Sequence, residues 1–152
     1  MKVGIDCIGV SAGAVIINQT GKFFLAKRGP GARDDVGMWE FPGGTIEFFE
    51  TRIDAVRRII LKKHDFAIVI DGELGVYDVI DRANNDHWIS TTYICRPASD
   101  ARPRIVNIKK STEIGWFTYE ELLRLELSRI TKLNVGDLAI KHHLTGRISS
   151  PK

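Results

Sequence analysis

Between Trp39 and Phe66 the chain reads WEFPGGTIEFFETRIDAVRRIILKKHDF, and two structural demands sit side by side in that segment. Pro42-Gly43-Gly44 asks for a tight turn, because glycine takes positive φ at little cost. After Thr51 the apolar residues Ile53, Val56 and Ile60 recur at intervals of three and four, while Arg52, Arg57 and Lys63 fall mostly elsewhere. That period predicts an amphipathic helix over Thr51–His64, ended by His64-Asp65-Phe66, with Ile53, Val56 and Ile60 turned inward. A helix with one apolar stripe must bury it against another element.

Strand material stands on both sides. Cys7–Asn18 and Phe23–Lys27 are rich in apolar and β-branched residues and are joined by Asn18-Gln19-Thr20-Gly21, which predicts a hairpin. Residues 29–38, GPGARDDVGM, form a Gly-rich polar loop. Val69–Ile80 and His87–Arg96 flank the polar DRANND and predict a strand pair, and Arg104–Ile108 and Ile114–Phe117 are short strand candidates. Thr118 with Glu121 has the capping-box spacing for a helix beginning YEELLRL. A last helix is expected around Val135–Leu144. The order predicts an α/β fold, a mixed β-sheet covered by helices, as one domain over residues 1–146 with a polar C-terminal tail at 147–152.

Composition excludes some functions. A chain of 152 residues is one domain's worth and buries roughly two-thirds of its unfolded surface. The net charge of +3 is too small for a general nucleic-acid binder. Residues 51–64 alone carry a net +4, so the basic excess belongs to the helix. Asp6 interrupts the apolar N-terminal stretch, and no run approaches the ~18 apolar residues of a membrane span. A cytoplasmic protein is expected. Cys7 and Cys95 lie in strand-like stretches without C-x-x-C spacing and are expected to be buried thiols.

The central segment resembles the Nudix box of the MutT-like hydrolases, G-x5-E-x7-R-E-U-x-E-E-x-G-U with U apolar. Counted from Gly44, the pattern's Glu falls on Glu50, its Arg on Arg58 and its first U on Ile60. WEFPGG before it, FFLAKR earlier and EIGWFTYEEL later also resemble the family, in the expected order. The resemblance implies a Nudix-like α/β/α sandwich with a mixed sheet, a nucleotide or nucleoside diphosphate-linked substrate, a structural Glu50–Arg58 pair, and magnesium held by the glutamates of the box.

Those glutamates are missing. The pattern's next Glu falls on Ile59, its Glu-Glu pair on Lys62 and Lys63, and its closing Gly on Asp65. Magnesium is a hard cation that takes anionic oxygen, and the spacing i, i+3, i+4 puts three side chains on one helical face. Positions 59, 62 and 63 have the spacing without the oxygen. At an effective dielectric of about 20, a lysine about 4 Å from a divalent ion is repelled by roughly 8 kcal/mol, where a glutamate would be attracted by as much. A later stretch that is acidic in many relatives reads NIKKSTE here, with Lys109 and Lys110; Glu113 survives beside it. The expectation is therefore no metal and no cofactor.

Two functions stand at this point. In the first, a Nudix-fold protein binds a nucleotide, a nucleotide-sugar or a protein partner with little or no magnesium-dependent hydrolysis. Lys62 and Lys63 then meet phosphate in place of a metal, with Arg28, Gly43 and Gly44 in the same site. In the second, a divergent hydrolase cleaves a nucleotide, ADP-ribose or sugar-nucleotide type of substrate with magnesium, through Glu47, Glu50, Asp54 and Glu113 or with His87 as base. Each residue also has a plainer reading: lysines suit the last turn of any helix, Arg28 can be a solvated strand end, and His87 a strand-edge histidine. His64, His142 and His143 are expected at the surface, and a homodimer is compatible with the resemblance.

Overall fold

The computed structural model describes the backbone of residues 1–148 and the side chains of residues 1–141. Its strands are β1 (Gly9–Ile16), β2 (Phe23–Arg28), β3 (Trp39–Glu40), β4 (Gly43–Thr45), β5 (Ile68–Asp81), β6 (Asp86–Pro97) and β7 (Ser111–Phe117); its helices are α1 (Arg52–His64), α2 (Tyr119–Leu122) and α3 (Arg129–Ile148). A mixed sheet runs β4-β1-β6-β5, parallel at β1/β6 and antiparallel elsewhere, and a second sheet runs β3-β2-β7. The α/β architecture is the one expected.

The helix answers the periodicity with one shift of face. Thr51 caps α1 by accepting from the Asp54 N–H, and Ala55, Val56, Ile59 and Ile60 are buried. Ile53 stays 39% exposed, contrary to expectation, and Ile59 takes its place at the sheet. Asp65 stands where the pattern has glycine and does that residue's job, closing the helix at φ 56° with its N–H on the Leu61 carbonyl. Acidic residues with short polar side chains tolerate that left-handed conformation.

Two apolar cores flank the sheets. Alternate residues of β1 and β2, including Ala12, Ala14, Ile16 and Phe24, pack with Val56, Ile59 and Ile60 of α1. Their neighbours Val15, Phe23 and Leu25 pack with Leu122, Val135 and Leu138. This two-sided burial makes the sandwich, and it explains why β1 and β2 read as nearly continuous apolar runs.

Several local expectations are overturned. β1 and β2 meet in a single antiparallel bridge, Ile17–Phe23, and then part into different sheets, so no hairpin forms. Residues 104–108 are not a strand; the Arg104 and Val106 N–H groups bond the His64 and Lys63 carbonyls and clamp the segment on the end of α1. Cys7 is exposed, whereas Cys95 is buried as expected. His64 is 1% exposed, edge-on to Phe24, and burial pushes its pKa down to about 4. The side chains of His142 and His143 lie outside the described residues, as do residues 149–152 of the expected tail; α3 takes in residues 147 and 148. No helix among the described residues is long and apolar enough to cross a membrane.

Between β4 and α1 the chain carries visible strain. Phe49 sits at φ 67° and is 99% exposed, with only the equally outlying Phe48 against it, ring centroids 4.6 Å apart. A left-handed L-residue costs about 1–2 kcal/mol, and nothing buried repays it. Phe49→Gly should therefore raise unfolding stability by about 1 kcal/mol in urea titration. A variant less stable than wild type would show that the Phe48–Phe49 contact outweighs the strain.

Candidate functional site

One cavity of about 780 Å³ opens between the sheets and α1, within the range that holds a nucleotide-sized ligand. Its floor is the β1/β6 pair, where the parallel register sets Gly9 beside Trp88, Ser11 beside Ser90 and Gly13 beside Thr92. Alternation along the strands turns Trp88, Ser90 and Thr92 to one face. One wall is α1 with Ile59, Lys62 and Lys63 together with the Gly43-Gly44 turn; the opposite wall is Arg33, Asp34, Asp35 and the start of α3. Val106, Asn107 and Lys110 also line it.

The Gly43-Gly44 turn is held hard against the sheet. A Cβ at Gly43 would stand 2.8 Å from the Ala12 carbonyl oxygen, and one at Gly44 3.2 Å from Ile59 Cδ1. Glycine at 43 is thus a requirement of close approach between backbones. It brings the Gly43 carbonyl within reach of Lys63, whose Nζ donates to it at 2.5 Å. Burial lowers the Lys63 pKa, while Glu40 draws it back up. Lys62, one residue earlier, is exposed and takes no hydrogen bond or ion pair from the described residues.

The other cations of the site are committed. Arg28 donates Nη1 to Glu40 Oε1 and Nη2 to Asp34 Oδ1, both at 2.6 Å, and Nε to the Asp34 carbonyl at 2.7 Å. Arg58 grips Glu50 with two nitrogens, Nε to Oε2 at 2.7 Å and Nη2 to Oε1 at 2.8 Å, and lies 3.5 Å from Glu47. That grip holds the Glu50 carboxyl below the ordinary glutamate pKa. Along α1, Arg52 pairs with Glu73 and Arg57 with Asp54. The +4 read from the sequence is largely answered by carboxylates, and the uncompensated charge sits at Lys62 and Lys63.

The acidic candidates do not all converge: Glu47 and Glu50 share Arg58, whereas Asp54 and Glu113 lie apart from them. Glu47 lines the cavity; Glu50 is turned to Arg58, Asp54 to Arg57, and Glu113 to Lys27 at 3.5 Å. His87 faces a separate cavity of about 310 Å³ near Gly4 and Cys7. Among the described residues no group of three His, Cys, Asp or Glu side chains could hold a metal ion. Magnesium does not fit the positions that the box implies: Ile59 is 3% exposed against Gly44, and the Lys63 ammonium already occupies the Gly43 carbonyl.

Sequence reasoning missed half of this cavity. Arg129, first residue of α3, receives carboxylates from two loops: Asp81 at 2.7 Å, Asp34 at 3.2 Å, Asp35 at 3.5 Å and Asp86 at 3.9 Å. The Asp34-Asp35 doublet and the acids at the two ends of DRANND were visible signals, but nothing in their spacing links residues 34, 81 and 129. Buried Glu40 and the Arg33–Trp88 stack were missed for the same reason.

Comparison with known proteins identifies the fold. A family model described as NUDIX domain matches residues 8–135. A MutT-like protein from Streptomyces ambofaciens is 26% identical over 113 residues, 74% of this chain and 66% of that protein, so the match spans just under two thirds of the relative. The crystal structure of a MutT NUDIX hydrolase from Burkholderia pseudomallei is similar with a TM-score of 0.77 at 30% identity, covering 85% of this chain and 96% of that one. The NUDIX domain of Shewanella oneidensis NrtR, solved with ADP ribose, shares the fold at a TM-score of 0.71 and 17% identity over 93% of this chain and 90% of that one.

Proposed function

The chain belongs to the NUDIX domain family, and from that premise we propose that it binds a nucleotide or another nucleoside diphosphate-linked compound at a lysine-lined anion site, with little or no magnesium-dependent hydrolysis. The observation that carries this reading is Lys63. Its ammonium stands on a backbone carbonyl beside Glu40, a place suited to a hard cation, and it is covalently tethered there. A fixed +1 charge can face phosphate oxygens, but it has no exchangeable water to activate as a nucleophile, which is what a catalytic divalent ion supplies. Lys62 adds a second, unengaged cation at the mouth. The cavity suits a small molecule in size, and the NUDIX domain solved with ADP ribose supports a nucleoside diphosphate compound as the class. The same residues argue against the divergent hydrolase, because Glu47 and Glu50 are both drawn to Arg58 while Asp54 and Glu113 are paired elsewhere, with Arg57 and Lys27.

The test is a thermal-shift panel of nucleotides, nucleotide-sugars and dinucleotides, run in magnesium and in chelator. A bound ligand should stabilise equally in both. Calorimetry on Lys62→Ala with Lys63→Ala should then show a loss of about 1.5–3 kcal/mol for each charge-assisted contact removed, and wild-type affinity should fall as salt rises. Affinity unchanged within about 0.5 kcal/mol would mean that the lysines merely solvate the helix end. Robust magnesium-dependent release of phosphate, abolished by Glu47→Gln, would establish the hydrolase instead.

A further inference from the structure

At the floor of the cavity, away from the lysines, Trp88 is mounted as a platform. Its indole lies against backbone: a Cβ at Gly9 would stand 2.4 Å from Cε3, and one at Gly4 2.2 Å from Nε1. Its one polar atom is satisfied, Nε1 donating to Asp86 Oδ1 at 2.8 Å, which fixes the ring in its plane. Over the ring lies the Arg33 guanidinium, 3.9 Å from the centroid. That cover leaves Trp88 4% exposed, yet the cover itself is a half-exposed side chain on the polar loop, tied only by a 3.4 Å contact to its neighbour Asp34.

We propose that Trp88 is the seat of a planar ring of the ligand, a nucleobase, and that Arg33 is a displaceable cover holding that seat dry in the free protein. The identification rests on the anion site of the preceding reading for its phosphate end, and on Trp88 for its base end. Stacking of a base on an aromatic ring outweighs an exposed cation–π contact, so a base wins the face and releases Arg33. Arg33 is itself a wall of the cavity, and once released it can turn to ligand phosphate. Ser90, two residues along β6, and Ser11 beside it in register offer hydroxyls next to the ring. Thr92 is already engaged by Asn134 Nδ2 at 3.0 Å.

Calorimetry with inorganic pyrophosphate and with a set of nucleoside diphosphates separates the two ends. Wild type should bind a nucleoside diphosphate about tenfold more tightly than pyrophosphate. Trp88→Leu should erase most of that difference between nucleoside diphosphate and pyrophosphate, and Trp88→Phe should retain most of it. Pyrophosphate binding with no gain from any base would overturn the Trp88 seat and leave the lysine site standing. Nucleoside binding without pyrophosphate binding would do the reverse. If Trp88→Leu fails to fold, the wild-type protein still decides: a free nucleoside should shift the indole Nε1–H resonance of Trp88 and the Nε–H resonance of Arg33. Resonances unmoved by nucleosides at saturating nucleoside diphosphate-competitive concentrations would rule the seat out.

Discussion

Replacement of Arg129 by methionine should destabilise the fold by about 2 kcal/mol at neutral pH, between the scale of an exposed ion pair and that of breaking a buried one by removing one partner. The guanidinium ties the loop at residues 29–38 and both ends of the β5–β6 turn to the start of α3, through Asp34, Asp35, Asp81 and Asp86. Its backbone N–H adds a bond to Asp35 Oδ2 at 3.0 Å. Without the cation, Asp34 keeps Arg28, but the other carboxylates face one another in the cavity wall. Asp81 is held below the ordinary aspartate pKa, first by its Asn84 hydrogen bond and in part by Arg129; the wild type therefore holds stability from this pairing that is lost in acid and that the variant lacks already. The stability gap should therefore narrow as the pH falls through the carboxylate range. Arg129→Lys should recover part of the loss, because it keeps the charge but lacks the planar fork that reaches several acids at once. Urea unfolding at pH 7 and pH 4 measures all three. A gap that is small at pH 7, or that widens in acid, would mean that the cluster is not what holds these loops together.

The combined change Ile59→Glu, Lys62→Glu and Lys63→Glu should convert the site from one that repels magnesium to one that requires it. Ile59 is buried against Gly44, and Lys63 neutralises the neighbourhood of Glu40 and the Gly43 carbonyl. Two carboxylates about 4 Å apart repel by about 4 kcal/mol at an effective dielectric of about 20, so the metal-free variant should be less stable by several kcal/mol. Magnesium at about a hundred times its dissociation constant should return about 2.7 kcal/mol. Thermal melts with and without magnesium make the comparison directly. Wild type should not respond. A wild-type response equal to that of the variant would place a metal site elsewhere in the chain, and a variant blind to magnesium would show that Gly43 and Glu40 cannot complete an ion's coordination.

The helix and its order between turn and strand were legible because they are local. The α1 helix, the Thr118–Glu121 box and the paired strands around DRANND each depend on neighbours a few residues apart, and each stands as expected, Thr51 serving as the cap and Ile53 excepted. The two-sheet division was not legible. β1 and β2 are joined by a turn that would suit a hairpin, and only the competing pairs, β1 with β6 and β2 with β7, draw them apart. Ile53 and Ile59 changed places for a similar reason: both fit an apolar face, and the position of β4 chose between them.

Of the candidate site, the sequence by itself determined that positions 59, 62 and 63 carry no carboxylate. Ile59, Lys62 and Lys63 cannot ligate magnesium in any fold that brings them together, since ligand chemistry belongs to the side chain and not to its surroundings. What those residues do instead was decided by tertiary structure. The same sequence allows Lys63 to point at solvent; the close approach of Gly43 to Ala12 puts a carbonyl under its ammonium. Arg28 could equally have been free, but Asp34 and Glu40 arrive from separate segments to claim it. Trp88 has a platform's role because Gly4 and Gly9 leave room for the ring and Arg33 reaches across to cover it. Charge and periodicity are properties of a chain's own order, whereas which charge answers which depends on distances that the order does not contain.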